Sequence, residues 1–509
     1  MFLDAFAGAF LVLLDPSVWL FVALGAAWGV FVGAMPGIGT TLGYALLIPL
    51  TFNLPAVTSV AMLLSVAVGS QFGNSIPAIL VGVPGGSSAV MTVLDGYSLF
   101  KQGKGDIALG ASYLGALVGQ ILSIPLFVAL VIPLANLAYI FQPPELFAMY
   151  TLGIAAIVSI ASDSMVKGLT SAAIGLLIGL IGLDPLTGVV RFTFGVVSLR
   201  PGFDEVAVIV GLLAGGELLR SARQSFQWPM EGGEEAKRIR LPRFSKMGGR
   251  DMIPPLLGGT VLGTLIGAIP GAGATPAALI TYQQAKLWSK HPEEFGKGSV
   301  TGIIANEAAQ NASNSGELIP TLALGIPGSG SMVILLGALI AQGFVPGPFL
   351  IHRDPQLLYA AIAGLVGGTV LLALIGMRLA GWMLRAVRID RSVMTITALA
   401  LVVLGVFALK SSLTDVVVLI AFSLVGYFMY RYGFSPAAAA LAVILSRGFE
   451  DGMRHGLSLS DDSWLVMLSR PITAGLLLVT ALFLIGGFWK QYRNWRKRNA
   501  VVLAEAGAD

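Results

Sequence analysis

Long apolar runs make up most of the chain, and the short polar stretches between them are richer in proline and glycine than in charge. No Asp, Glu, Lys, Arg or His occurs between Pro16 and Leu94, a stretch far longer than the ~20 residues that one membrane-spanning helix needs. Several passes must be folded into it. The pattern predicts helices over 18–35, 42–50 and from Pro55 to about Gly69, then one long or two short helices over 107–138, kinked at Pro125 and Pro133. Further spans are expected over 146–161, 169–183 and 206–219. In the second half an apolar run leads from Ile253 to Pro270, and later helices follow over 357–384, 395–409, 416–430, 436–445 and 472–488. The stretch 286–298 reads as a polar loop and 447–462 as an extramembrane loop, and Arg191 reads as an anchor in an interfacial loop.

The polar stretches recur in matched order. Gly33-Ala34-Met35-Pro36-Gly37-Ile38-Gly39-Thr40-Thr41 and Gly267-Ala268-Ile269-Pro270-Gly271-Ala272-Gly273-Ala274-Thr275 share one template, G-A-x-P-G-x-G-x-T. A second pair follows, Gly82-Val83-Pro84-Gly85-Gly86-Ser87-Ser88 and Gly325-Ile326-Pro327-Gly328-Ser329-Gly330-Ser331. The prolines lie 48 residues apart in the first half (Pro36, Pro84) and 57 apart in the second (Pro270, Pro327), and the polar 286–298 stretch accounts for the excess. Proline and glycine pairs often mark only loop ends. Four of them in matched order favour interrupted helices, whose freed backbone groups must line a cavity if they lie inside a membrane. The expected fold is an all-α polytopic membrane protein of about 10–12 spans, built from two pseudo-symmetric, inverted repeats with interrupted or re-entrant helices. The expected division is a first membrane repeat over 1–219 with interruptions near 36–41 and 74–88, a basic linker over 220–252, a second repeat over 253–488 with interruptions near 270–275 and 306–331, and a tail over 489–509.

Composition agrees with this picture. Of 509 residues 56% are apolar and 11% charged, whereas soluble domains carry about 25% charged residues. The 64 glycines suit helices that approach closely in lipid. The net charge of +4 comes from loops and a tail rather than from a basic domain, which argues against a nucleic-acid binder. Eight basic residues between Arg220 and Arg250 place the linker in the cytoplasm by the positive-inside rule, and the run Lys490–Arg498 places the C-terminus there too. The chain has no cysteine, which excludes disulfides and thiolate metal sites. The apolar stretch 5–14 lacks a preceding basic region and reads as mature sequence rather than a signal peptide.

A broken helix offers a positive N-terminal end to an anion and a negative C-terminal end to a cation. The candidate substrate- and ion-binding residues are Pro36, Gly37, Gly39, Thr40 and Thr41, then Asn74 and Ser75, then Pro84, Gly85, Gly86 and Ser87. Their second-half counterparts are Pro270, Gly271, Gly273 and Thr275, then Asn306, Glu307, Asn311 and Asn314, then Pro327, Gly328 and Ser329. No arginine or lysine lies within the interruptions. An anion there would be met by N–H groups, hydroxyls and co-bound cations. Asn311, Asn314 and Glu307 offer the oxygen ligands that a hard cation such as sodium prefers, and either Glu307 or Glu317 offers a route for proton coupling instead. A helix cap or a partner for a loop lysine is the plainer reading of Glu307. His291, His352 and His455 sit beside charges in loops and read as solvated. No catalytic residue and no cofactor is expected beyond Na+ or H+ as coupling ion, because neither H-E-x-x-H nor G-x-S-x-G occurs.

These residues resemble the large membrane subunit of the tripartite tricarboxylate transporters, the TctA family. The motifs that carry the likeness are the Gly33–Thr41 and Gly267–Thr275 pair, Pro84-Gly85 with Asp95-Gly96-Tyr97, Glu307-Ala308-Ala309-Gln310-Asn311-Ala312, Leu324–Ser329 and Arg191-Phe192-Thr193-Phe194-Gly195. The chain departs from the family pattern at Gln310, where Asn is commoner, and at Phe72-Gly73-Asn74, where Tyr-Gly-Gly is commoner. The resemblance implies a permease of the bacterial inner membrane. It would work with a small membrane subunit and a periplasmic solute-binding protein, and import carboxylates such as citrate on an ion gradient with sodium the expected ion. An elevator-type motion of the part carrying the interruptions is the expected mechanism. The other readings are an ion-coupled carrier or channel without a binding protein, and an intramembrane enzyme.

Overall fold

The computed structural model describes residues 2–35, 39–51, 54–161, 164–184, 187–222, 249–345, 347, 349–386 and 391–506. Its helices, in chain order, begin with α1 (Phe2–Leu13), α2 (Pro16–Ala34), α3 (Gly39–Thr51) and α4 (Ala56–Leu80). A short helical run over 87–101 leads into α5 (Gly105–Leu137), α6 (Pro143–Ala161) and α7 (Met165–Gly179). The helix α8 covers 205–222 and contains a π turn at Gly211–Gly215. Then come α9 (Ile253–Gly267), α10 (Ala274–Trp288), α11 (Val300–Leu324), α12 (Gly330–Ala341), α13 (Gln356–Ala386), α14 (Arg391–Lys410), α15 (Leu413–Tyr432), α16 (Pro436–Ser458) and α17 (Pro471–Ala506). Among the described residues the only sheet is a pair of two-residue strands, β1 (Gly182–Leu183) and β2 (Val190–Arg191). They run antiparallel, with Gly182 opposite Arg191.

The protein is thus all-α and polytopic. Six of the described helices, α2, α4, α5, α13, α15 and α17, contain stretches long and apolar enough to cross a membrane, and six more apolar helical segments are shorter. Several elements run further than hydropathy predicts. The polar stretch 71–77 is not a break but the continuation of α4, and 306–317 lies wholly inside α11. Both helices keep an internal proline, Pro77 and Pro320. The interruptions near 74–88 and 306–331 therefore narrow to the stretches after Leu80 and after Leu324. The reason is the surroundings: where water is absent, a helix satisfies the backbone internally, and the polar side chains find partners across the bundle. Residues 447–458, expected as a loop, extend α16. Linker residues 223–248, Pro36, Gly37 and the last three tail residues lie outside the described residues.

The chain forms two compact units, and they cut across the two halves of the sequence. One comprises 1–139 and 221–412, the other 140–220 and 413–509. In the first unit α2 packs on α4 and α9 on α11 through glycines spaced four apart. Cβ atoms at Gly25, Gly29 and Gly33 would collide with the carbonyl oxygens of Met62, Val66 and Ser70. Those at Gly259, Gly263 and Gly267 would collide with the carbonyls of Ala305, Ala309 and Ser313. The glycines of the two ladders are 234 positions apart and their partners 243 apart. Of the difference of nine, seven residues lie in the connection between α10 and α11, which is 11 residues long against four between α3 and α4, and two lie in α10, 15 residues against 13.

The second unit builds the same way, with Gly175 of α7 against Ala439 of α16 and Gly426 of α15 against Leu212 of α8. Ion pairs fasten its polar end. Arg191 holds Glu450 through its two terminal guanidinium nitrogens at 2.6 and 3.0 Å, Arg454 reaches the buried Asp184 at 2.9 Å, and Arg470 reaches the buried Glu145 at 2.7 Å. The hydrogen bonds to Glu450 hold the Arg191 guanidinium above its ordinary range.

Candidate functional site

Every described candidate residue belongs to the first unit. The centre of the site is the polar stripe of α11, where Asn306, Glu307, Gln310, Asn311, Asn314 and Glu317 are all buried. Helical spacing of three and four places them on a shared side. Gly115 and Gly119 of α5 lie against Glu307 and Ala308 and let the two helices come close.

Glu307 has no exposure and forms no ion pair among the described residues. Its Oε1 accepts from the Ser75 hydroxyl at 2.6 Å, from the Thr92 hydroxyl at 2.5 Å and from the Gln310 amide at 3.5 Å. Thr92 in turn accepts from Asn306 Nδ2 at 2.6 Å, and Asn311 Nδ2 donates to the Glu307 carbonyl at 3.0 Å. Donors thus converge on one carboxylate oxygen. Glu307 Oε2, Asn306 Oδ1, Gln310 Oε1 and Asn311 Oδ1 are buried with no hydrogen-bond partner. Asn74 Oδ1 on α4 is in the same condition. A buried acceptor without a donor costs about 1–3 kcal/mol; the Ser112 hydroxyl of α5, likewise buried without a partner, is close enough to influence Glu307, and amide and carboxylate oxygens are the ligand type that hard cations prefer. No group of three or more His, Cys, Asp or Glu exists among the described residues to hold a transition metal.

One turn further along α11, Asn314 accepts from Gln71 at 3.4 Å and donates to Gln120 at 3.1 Å. Gln120 and Ser123 of α5 both bond Ser315, at 2.9 and 2.7 Å. On α4, Asn74 donates to Gln71 at 3.3 Å, and Ser88 does so at 3.1 Å. Ser75 and Glu307, both candidates from the sequence, thus meet across two helices, and Asn314 reaches Gln71 of α4 and Gln120 of α5. Thr92, Gln120 and Ser315 were missed. Gln120 had a usable signal, an uncharged polar side chain in the long apolar run of α5, but Thr92 and Ser315 look like any small hydroxyl in a helix.

The interruptions close around this stripe. Gly82 and Gly325 end α4 and α11 with left-handed φ of +78° and +71°. Val83 N–H then donates to the Pro77 carbonyl at 3.3 Å and Ile326 N–H to the Pro320 carbonyl at 3.2 Å, the same bond in both halves. Gly39 and Gly273 likewise share a left-handed φ, +62° and +66°. Gly85 N–H donates to the Asn74 carbonyl at 3.0 Å, while Cβ atoms at Gly85 and Gly328 would run into the backbones of Asn74 and Glu317. Ser329, the N-cap of α12, donates to Glu317 Oε2 at 2.5 Å, and Gly273 borders the same carboxylate. Ser87 and Thr275 bond at 2.8 Å, joining an interruption of each half, and Thr40 bonds Ser70 at 2.8 Å. Gly86 lies over the Asn74 amide. Among the described residues the Thr41 side chain makes no hydrogen bond; Pro84, Pro270 and Pro327 carry no side-chain donor or acceptor, and Gly271 has a left-handed φ of +78°.

Asp95 is a buried carboxylate of a different kind. Its Oδ1 accepts from the N–H groups of Gly296, Gly298 and Ser299 at 2.7–2.9 Å, and its Oδ2 from the Tyr282 hydroxyl at 2.8 Å. It fixes the connection that lengthens the second half and sits at the N-terminal end of α11, where a negative charge is favoured.

A family model, the tripartite tricarboxylate transporter TctA family, matches residues 19–441, most of both units. The chain belongs to that family. A relative from Agrobacterium vitis, described as an uncharacterized 52.8 kDa protein in the TAR-I ttuC' 3' region, is 34% identical over 490 residues, 96% of each chain. Another from the same organism, described as an uncharacterized protein in the TAR-II ttuC' 3' region, is 32% identical over 215 residues, 42% of this chain and 89% of its own. No solved structure matches. As a TctA-family chain the protein is a multi-pass membrane component of a transporter family, whose systems in general also include a small membrane subunit and a periplasmic binding protein.

Proposed function

We propose that this chain is the permease subunit of a binding-protein-dependent importer. It carries a tricarboxylate such as citrate, or a related smaller carboxylate, across the bacterial inner membrane on a sodium gradient. The observation that carries the reading is the set of buried, partnerless oxygens on the α11 stripe, gathered in the same unit as the interruptions and with no basic side chain hydrogen-bonded among them. A cation supplied to those oxygens neutralises Glu307, and the substrate carboxylates are met by the N-terminal ends of the broken helices and their hydroxyls. Because every described interruption belongs to one compact unit, that unit carries the site as a body in an elevator-type cycle. The basic linker and the C-terminal tail lie in the cytoplasm. A small membrane subunit completes the membrane part, and a periplasmic protein delivers the substrate.

Uptake into proteoliposomes containing both membrane subunits, with the liganded binding protein outside, tests this. Accumulation of a carboxylate on an imposed sodium gradient, with no pH gradient, is the expected result. Accumulation on a pH gradient alone would shift the coupling to Glu317 or Glu307 as a proton carrier, and flux without accumulation would mean a channel.

A further inference from the structure

A cavity of about 520 Å³ lies between α9, α10 and α11, apart from the Glu307 stripe. Its rim carries Arg250, Lys290, Asp251 and Glu294, two cations and two anions that form no ion pair among the described residues. The rest of the lining mixes apolar Pro255, Leu262 and Ala305 with polar Thr281, Gln284 and Thr301. The Thr281 hydroxyl is buried and has no hydrogen-bond partner. Beside the cavity, α9 and α10 present Leu257, Val261, Leu265 and Ile280, each 45–50% exposed, as an apolar outer surface.

A charged rim of both signs, a partly apolar lining that adjoins an apolar outer face, and a buried unsatisfied hydroxyl at Thr281 describe an amphiphile rather than a free ion. Inorganic phosphate would leave the apolar walls unfilled, and a purely anionic head group would face Asp251 and Glu294 without compensation. We propose that this cavity binds the head group and glycerol region of a membrane phospholipid whose phosphate is paired with a primary amine. The phosphate lies at Arg250 and Lys290, the ammonium at Asp251 and Glu294, and an ester carbonyl accepts from Thr281. The acyl chains leave along the apolar outer face of α9 and α10. The lipid thereby braces α10, whose first turn holds Thr275.

Gly258 provides the test. It lines the cavity, and a Cβ there meets nothing within 4 Å, so Gly258→Phe fills the space without a clash at its root. The full-length chain, purified in detergent, is incubated with phosphatidylethanolamine, phosphatidylglycerol or inorganic phosphate, and bound lipid is read by native mass spectrometry. Unfolding temperature is followed alongside. The wild type is expected to retain phosphatidylethanolamine at least about tenfold better than phosphatidylglycerol, a difference of about 1.4 kcal/mol, and to melt higher with it. Gly258→Phe should lose both effects while melting no lower than wild type without lipid. Arg250→Ala with Lys290→Ala should weaken retention similarly, and carries the test if the phenylalanine variant does not fold. Equal retention by wild type and the variant that folds overturns the proposal. So does equal retention of the two lipids, and stabilisation by inorganic phosphate alone would reduce the cavity to a free-anion site.

Discussion

Thr92 holds the polar stripe in register with the rest of the site. Its hydroxyl donates to Glu307 and accepts from Asn306, so its removal strands an amide N–H and takes one of three donors from the carboxylate. Thr92→Val keeps the shape and should destabilise the protein by about 1–3 kcal/mol, the cost of a buried polar group left unmade. A lowered unfolding temperature in detergent checks this, and an unchanged one would mean that water replaces the hydroxyl. Asp95→Asn should loosen the 289–299 connection, because a neutral amide accepts more weakly than the carboxylate that now takes three N–H groups on one oxygen. Faster proteolytic nicking there, with the rest of the chain intact, is the expected outcome. At this scale the legible residues were those whose chemistry contradicts their neighbourhood. Glu307, Asn311 and Asn314 stand out in an apolar protein, whereas Thr92 does not, because its importance lies in what two other helices bring to it.

Among the elements, the glycine ladders of α2 and α9 decide how closely the site-bearing helices approach. Gly29→Val or Gly263→Val places a branched side chain against the Val66 or Ala309 carbonyl, and should cost about 1–3 kcal/mol or more through overpacking. The measurement is the yield of monodisperse protein in detergent, with Gly258→Ala as the tolerated control because its Cβ position is open. The ladders were present in the sequence, but their four-residue spacing registered only as a high glycine content. The opposite error concerned the polar runs 71–77 and 306–317, which hydropathy alone marks as breaks. Their side chains are polar because they bond one another between α4, α5 and α11, and the backbone beneath them stays helical. Pro84, Gly85, Pro327 and Gly328 read as breaks and lie between helices, where Gly82 and Gly325 turn the chain with a left-handed φ.

For the whole molecule the sequence suggests two successive halves, and the structure interleaves them, each half giving its first part to one unit and its last to the other. Hydropathy carries no record of which non-neighbouring helices pack, so that division was not legible. A unit that moves as one body should tolerate a link inside itself. Gln102 and the Lys297 carbonyl, which meet at 2.9 Å on its exposed surface, come from different halves of the chain. In this cysteine-free background, Gln102→Cys with Lys297→Cys, joined by a short reducible thiol-specific cross-linker, should leave uptake within about twofold, as expected of a rigid body. Loss of uptake that reduction restores would show that the unit deforms internally during the cycle.

The proposed seat of the coupling cation is the α11 stripe, and the most direct measurement of it is the sodium dependence of uptake by Glu307→Gln beside wild type in the same proteoliposomes. The substitution keeps the size of the side chain and removes its charge. It is expected to raise the sodium concentration for half-maximal uptake at least about tenfold, a loss of about 1.4 kcal/mol, with the protein still folded and still recognised by the binding protein. Uptake with an unaltered sodium dependence in Glu307→Gln would contradict the account.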